Sequence, residues 1–332
     1  MKKKITVLHI ILSKGYGYAG TEKYVYDLIR YQKKIHNVFI ITLKRNLILN
    51  NLLKNKVKTF TIGNFFKKII VNKIIKKIKP DIVHTHLGEA NKIVDKSNKY
   101  KIISTLHMNF KYKEFKNCDC IITSNKTQFN EVKKLFKKKV FMLYLWTNLQ
   151  KVNEKKDILK NKLGINKKDL IFGSIGRFHP QKGFDILIKI FKELDLPNCT
   201  LVLIGNGHLN YKIIQTKNPN IKILGPVKNV SNYFNLFNYA IFASRWESFG
   251  YTLIEAMNFK LPIITSIHNG NKDWVRKFNI LKFEQNNHQK LKKMILKFYK
   301  NKEPKKKYDI SMFDYEKNCS AITRIYKKML VV

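Results

Sequence analysis

Apolar runs and helix-period segments alternate along almost the whole chain. Residues 5–12 (ITVLHIIL) are apolar at nearly every position, the pattern of a strand covered on both faces. Comparable runs recur at 37–43, 57–62, 81–86, 100–107, 118–123 and 140–145. Between several of them lie helix-like stretches, the first being EKYVYDLIRYQKKI at 22–35. Strand and helix in alternation predict a parallel, doubly wound sheet. After a polar stretch at 151–157 (KVNEKKD) the pattern restarts with DLIFGSIG at 169–176. A helix follows with Phe184, Leu187, Ile188 and Phe191 at helical spacing, then strand ends at 201–207 (LVLIGNG) and 223–227 (ILGPV). The chain divides into residues 1–150 and 151–312, with a helix-like last segment at 313–330.

Composition agrees with two cores. A chain of 332 residues with 44% hydrophobic and 12% aromatic side chains can bury both, and disorder is excluded. No apolar run reaches the length of a membrane span. The first residues, MKKKITVLHIIL, imitate a secretion signal, but His9 interrupts the run and no small-residue cleavage site follows, so a buried first strand is expected. Cys118, Cys120, Cys199 and Cys319 form no CxxC pair, which predicts buried free thiols in a reducing cytoplasm.

Charge changes the picture more. With 66 basic against 22 acidic residues the net charge is +44, which draws a chain to an anionic membrane face or to nucleic acid. A Lys-, Asn- and Ile-rich genome is the competing account. Arginines are few, and nucleic-acid recognition favours Arg, so that partner is disfavoured. Residues 65–79 (FFKKIIVNKIIKKIK) carry Phe66, Ile70 and Ile74 at four-residue spacing among lysines. They read either as a helix lying on a membrane or as an ordinary helix covering a sheet face.

Candidate chemistry starts with what is missing. His84 and His86 share one face of a strand, but a metal site needs a third ligand, and none stands at a recognisable spacing. Gly15, Gly17 and Gly20 do not have the spacing of a dinucleotide fingerprint. The informative stretch is 239–265: a strand, the loop SRWESFG, a helix, and a strand opened by Pro262. A loop leaving the carboxyl end of a strand, followed by a helix N-terminus, suits a phosphate. Glu247 in that loop and Glu255, expected about two turns into the helix, flank the place. Carboxylates accept hydrogen bonds from vicinal hydroxyls, so one can hold a sugar and the other a ribose. Arg177 and Lys182, after the strand at 169–176, can neutralise a pyrophosphate without a metal. Taken alone, each of these residues is also an ordinary solvated side chain; together they suggest a nucleotide diphosphate sugar.

The string SRWESFG followed four residues later by EAM resembles the signature of the GT-B retaining glycosyltransferases, in particular glycosyltransferase family 4. GRFHPQKG at 176–183 resembles that family's GR-x-KG element. The resemblance implies an α/β GT-B fold, two Rossmann-like domains whose parallel sheets face each other across a cleft. An acceptor-side domain (1–150) would be followed by a nucleotide-sugar domain (151–312), with the last helix (313–330) packing back on the first. It implies that Glu247 faces the donor sugar and Glu255 the ribose, with the backbone of Ser248, Phe249, Gly250 and Tyr251 on the pyrophosphate beside Arg177 and Lys182. His107, in STLHMN, would face the donor sugar near the reacting carbon, and Gly20, in GTE, would form the turn that approaches the phosphates. Gly205 and Val227 would meet the base and ribose. Ala19, Lys260, Asn269 and Asp273 depart from the family pattern, three of them at glycine positions.

The activity implied is transfer of a sugar from a nucleotide diphosphate sugar to a glycan or lipid-linked acceptor, with retention, in cell-surface polysaccharide or lipopolysaccharide assembly. No Asp-x-Asp occurs, so neither a metal nor another cofactor is expected. The expected place is the cytoplasm, peripheral on the inner face of the membrane, with an anionic membrane surface and no nucleic acid as partner. Two other readings stand beside it: a non-catalytic GT-B subunit that binds nucleotide sugar, and a basic nucleic-acid-binding protein.

Overall fold

The computed structural model describes residues 4–13, 19–207 and 218–331, so Gly15 and Gly17 lie outside the described residues. The chain forms two units, residues 1–146 with 314–332 and residues 147–313.

The first unit is built on seven described strands, β1 (Thr6–Ile11), β2 (Asn37–Leu43), β3 (Lys58–Ile62), β4 (Ile82–His86), β5 (Lys101–Thr105), β6 (Cys120–Thr123) and β7 (Lys139–Met142). All pair in parallel, in the order β3-β2-β1-β4-β5-β6-β7. Near-continuous apolar runs become the central strands because helices cover both faces and leave no side for water. Leu8, Ile10, Ile41, Val83, Ile102 and Ile121 form one core with Val71 and Ile75. The terminal helix Tyr315–Leu330 belongs to this unit, and its Tyr315 hydroxyl donates to the Asp27 carbonyl at 2.8 Å.

The basic segment at 65–79 resolves into two parts. The helix spans Lys67–Ile78 and turns Ile70, Val71, Ile74, Ile75 and Ile78 onto the core, so its apolar stripe is the face that covers the sheet. Phe66 lies outside that stripe. It precedes the helix in a left-handed conformation (φ 53°), and Phe65, Phe66 and Ile69 are exposed. The four-residue spacing at 66, 70 and 74 therefore joined a cap residue to a helix face it does not share.

The second unit has six described strands, β8 (Leu170–Ile175), β9 (Cys199–Ile204), β10 (Ile221–Leu224), β11 (Tyr239–Phe242), β12 (Ile263–Ile267) and β13 (Leu281–Glu284). Their order is β10-β9-β8-β11-β12-β13, again all parallel. Phe172, Phe184, Leu187, Ile188, Leu201, Tyr239, Ile241, Ile264 and Phe298 pack its core. The strand order reverses between β8 and β11, the switch point at which open α/β sheets hold ligands beyond their carboxyl ends. Among the described residues all four cysteines are free and buried, and no helix is long and apolar enough to cross a membrane.

Candidate functional site at the carboxyl ends of β8 and β11

The two loops at this switch point are tied together by backbone before any side chain is considered. Leaving β8, the Gly176 N–H bonds the Ile204 carbonyl at the end of β9, and the Gly205 N–H bonds the Leu224 carbonyl at the end of β10. A methyl group on Gly205 would lie 1.7 Å from the Gly176 oxygen, so only glycine lets the two turns approach this closely. Past a short turn at Pro180–Lys182, Gly183 is left-handed (φ 66°), and a methyl there would meet the Ala243 oxygen at 2.1 Å. Arg245 completes the seam: its N–H donates to the Gln181 carbonyl (2.7 Å), and its guanidinium forks onto the Asp185 carboxylate (2.9 and 2.6 Å).

Those ties set Lys182 against Glu247. The Lys182 ammonium donates to Glu247 Oε1, and the Ser244 hydroxyl donates to the same oxygen at 2.9 Å. Burial pushes the Glu247 carboxyl upward; Lys182, His268 and these two hydrogen bonds outweigh it and hold the group below the usual carboxylate range. His268, the first residue after β12, is buried. Desolvation lowers it to about 4 against the upward pull of Glu247, so the imidazole is neutral where the carboxylate is charged. The next loop presses on the same place, since a methyl on Gly270 would meet the Glu247 carbonyl at 2.1 Å.

Arg177 sits nearby but not in this contact. It is exposed, and its Nη2 lies 3.4 Å from the Gln181 side-chain oxygen, while the Gln181 amide donates to the Trp246 carbonyl at 2.8 Å. His179 feels both cations: slight burial, then Arg177 and Lys182, lower its pKa. The edge of β8 thus carries concentrated positive charge next to one carboxylate.

The helix after the loop is Tyr251–Asn258, capped by Gly250 in a positive-φ conformation (101°). Glu255 is its fifth residue, one turn in where about two were expected, and it is buried. The Ser248 side chain is half-buried, whereas Phe249 points inward to pack with Trp274 (5.3 Å) and Phe313 (5.9 Å). Any ligand contact at Phe249 is therefore backbone. Gly205 directly follows β9, and half-buried Val227 lies between β10 and the helix Val230–Leu236.

Gly20 and His107 belong to the first unit. Gly20 opens the helix Gly20–Gln32; Glu22 accepts the Ala19 N–H at 3.1 Å, so the turn is capped without the glycine that Ala19 replaces. His107 is buried, with Tyr24 edge-on at 4.8 Å, and its Nε2 meets His86 Nδ1 at 3.2 Å. A third imidazole also comes close: His9 brings a ring nitrogen alongside His84 and His86, all within 4.8 Å. Sequence spacing could not show it, because His9 reaches them only through the pairing of β1 with β4. His268 and Gln181 escaped notice for the same reason, being isolated polar residues that converge only across neighbouring strands, whereas Ser244 stands in the SRWESFG string itself, three residues before Glu247.

The profile of the family described as Glycosyl transferases group 1 matches residues 155–311. Two uncharacterised glycosyltransferases of Methanocaldococcus jannaschii are 29% and 28% identical to this chain, the first over 58% of it and 57% of its own length, the second over 86% of each. The Escherichia coli UDP-Gal:alpha-D-GlcNAc-diphosphoundecaprenol alpha-1,3-galactosyltransferase is 24% identical, covering 72% of this chain and 68% of that protein. Among solved structures, Anabaena Alr3699/HepE in complex with UDP and glucose superposes with a TM-score of 0.77 at 14% identity, covering 98% of both chains.

Proposed function

We propose that this chain, a glycosyltransferase of the group 1 type with the GT-B fold, moves a sugar from a nucleotide diphosphate sugar to a glycan or lipid-linked acceptor, with retention of configuration. The observation that carries the reading is the Lys182–Glu247 pair at the β8/β11 switch point. A lone surface pair would say little. This one joins a cationic strand end to a carboxylate held ionised, on a surface otherwise suited to phosphate.

In this reading the pyrophosphate lies beside Arg177 and Lys182, with the first turn of Tyr251–Asn258 offering backbone N–H groups. Cleavage of the bond between the anomeric carbon and the phosphate oxygen leaves negative charge on the departing phosphate as an oxocarbenium-like centre forms; the acceptor hydroxyl then bonds that carbon from the same face and its proton passes to the leaving phosphate. The two cations lower that barrier electrostatically, so no metal is needed. Glu247 would exchange part of its bond to Lys182 for hydroxyls of the donor sugar. Glu255 would hold the ribose, and Gly205 and Val227 would border the base. His107 would face the donor sugar. The Escherichia coli relative acts on a diphosphoundecaprenol-linked acceptor, which supports a lipid-linked acceptor here.

We place that acceptor at an anionic membrane face. Leu47 and Ile48 follow β2, and Phe65, Phe66 and Ile69 follow β3; all are exposed, and the Lys44 N–H bonds the Ile62 carbonyl where the two strands end side by side. Lys44, Arg45, Lys67 and Lys68 surround these apolar tips in sequence.

The test is a thermal-shift screen against UDP-, GDP- and ADP-sugars, followed by transfer assays on Glu247→Ala and Arg177→Ala. A donor at 100 times its Kd should stabilise by about 2.7 kcal/mol. Transfer unaffected by both substitutions sinks the assignment. Donor binding without transfer to any acceptor would instead mark a non-catalytic subunit.

A further inference from the structure

Four imidazoles meet inside the first unit. His9 on β1 stands opposite His84 on β4, so the two share a face; His86, two residues on, shares it too, and His107 lies just beyond β5. All four are buried. His9 Nε2 bonds Gln32 Oε1 at 2.8 Å, His9 Nδ1 meets His86 Nε2 at 3.0 Å, and His86 Nδ1 meets His107 Nε2 at 3.2 Å. The His9 and His86 rings are within 15° of coplanar with centroids 5.3 Å apart, so they touch edge to edge. His84 stands aside from this line, its nitrogens bonded to the Tyr326 hydroxyl (2.5 Å) and Thr105 Oγ1 (2.8 Å).

Three of these rings are close enough to suggest a metal, but the arrangement opposes one. Among the described residues no carboxylate joins the group, so an ion there would need a hydroxide or other anion to accompany it into a buried interior. The near-coplanar His9 and His86 also aim their nitrogens at each other rather than at a common point, whereas a zinc ion needs both lone pairs converging about 2.0 Å away.

We propose that Gln32, His9 and His86 are positioning residues for His107: a line of singly protonated imidazoles that sets which nitrogen of His107 carries its proton. A neutral imidazole donates from one nitrogen and accepts at the other. The Gln32 carbonyl oxygen only accepts, so His9 is protonated on Nε2 and accepts at Nδ1. His86 then donates from Nε2 and accepts at Nδ1, and His107 gives its Nε2 proton to His86. His107 is left with Nδ1 as an acceptor. Burial supports this by holding His9 at about 4 and His107 at about 3, and His84 and His86 well below the ordinary value, so none of the rings is cationic near neutrality.

The functional part rests on the reading above that His107 faces the donor sugar: an unprotonated Nδ1 can take a hydrogen bond from a sugar hydroxyl, and a mixture of tautomers takes it only part of the time. The test uses the full chain labelled with ¹⁵N at histidine. Long-range ¹H–¹⁵N spectra should show His107 as a single tautomer protonated on Nε2. Gln32→Leu and His9→Phe, neither of which touches His107, should each give a tautomer mixture there and raise the donor KM by the reciprocal of the fraction left in the accepting tautomer, about twofold for an even mixture. Gln32→Glu, which keeps the acceptor, should restore the single tautomer. A His107 protonated on Nδ1 or already mixed in the parent chain, or one metal ion per chain by elemental analysis, overturns the proposal. The spectra need no donor. If they show the single tautomer and its loss in the variants while no nucleotide sugar binds, it is the glycosyl-transfer reading that falls.

Discussion

Lys182 and Glu247, 65 residues apart in sequence, meet because β8 and β11 are neighbours and the loops leaving them are seamed together by Gly183 against Ala243 and by Arg245 on Asp185. Both side chains are largely shielded, 17% and 12% exposed. Glu247 thus exchanges water for an ammonium and the Ser244 hydroxyl, and it is an ionised acceptor before any ligand arrives.

Removing one partner should cost more than removing both. Lys182→Met strands the Glu247 carboxylate, and an unpaired buried charge destabilises by about 3–5 kcal/mol when fully enclosed, less at a site with some access to water. The double variant Lys182→Met/Glu247→Gln should therefore unfold at a higher urea midpoint than Lys182→Met alone. Equal midpoints would mean that the two groups are not coupled. Either single substitution should lower transfer about 10²-fold.

Much of this was legible in the sequence, and the remainder was hidden for one physical reason. Strand, loop and helix at 239–265 announce themselves locally, since hydrophobic period and turn residues are neighbour effects. Glu247 and Lys182 stood out because their flanking strings are specific. What periodicity cannot carry is which strands pair. His268 joined the Glu247 site only once β12 lay beside β11, and His9 joined His84 only once β1 lay beside β4. Phe66 failed in the opposite sense. Its spacing from Ile70 fitted a helix face, but a left-handed backbone at that residue ended the helix first.

Buried neutral histidines make stability depend on pH. Desolvation holds His9 and His268 at about 4 and His107 at about 3, against 6.5 in a free side chain, with His84 and His86 also well below. Between those limits only the unfolded chain takes up protons, so stability is complete above about pH 6.5 and falls as pH drops toward 4. Each such histidine adds up to about 1.4 kcal/mol per pH unit to the slope. Urea midpoints measured from about pH 7.5 down to about pH 5 should fall steeply. A flat profile would show that these rings are hydrated or already charged.

Lys260 occupies a position where the backbone prefers glycine. Its φ is 59°, its N–H is bonded to the Met257 carbonyl (2.9 Å), and its own carbonyl accepts from Lys306 N–H (2.8 Å), so the conformation is pinned from both sides. A left-handed residue with a side chain costs about 1–2 kcal/mol. Glycine's extra freedom in the unfolded chain returns about 0.5–1 kcal/mol of that. Lys260→Gly should accordingly stabilise by about 0.5–1 kcal/mol in urea titrations. Gly183→Ala should do the opposite and lose more than about 2 kcal/mol, because the new methyl meets the Ala243 oxygen as well as a left-handed backbone. A destabilised Lys260→Gly chain would show that the lysine side chain itself holds the turn.

The exposed tips after β2 and β3 give the membrane assignment its test. Phe65, Phe66 and Ile69 are 82%, 75% and 67% exposed, and Leu47 and Ile48 are 67% and 49% exposed. Phe66 also keeps a left-handed backbone that its ring does nothing to repay by burial, the kind of strain that persists at functional surfaces. Apolar insertion and lysine attraction act through different physics, so they can be separated. Vesicles of phosphatidylglycerol with phosphatidylcholine should bind the chain, and Phe65→Ser/Phe66→Ser should weaken binding about equally at low and high salt, since the lost energy is hydrophobic. Lys44→Gln/Arg45→Gln, at two exposed cations beside the tips, should weaken it mainly at low salt, where the Debye length is long. Sedimentation with vesicles of zero and rising anionic content reads both. Binding that depends on charge alone and ignores the two phenylalanines would remove the apolar tips from the membrane contact.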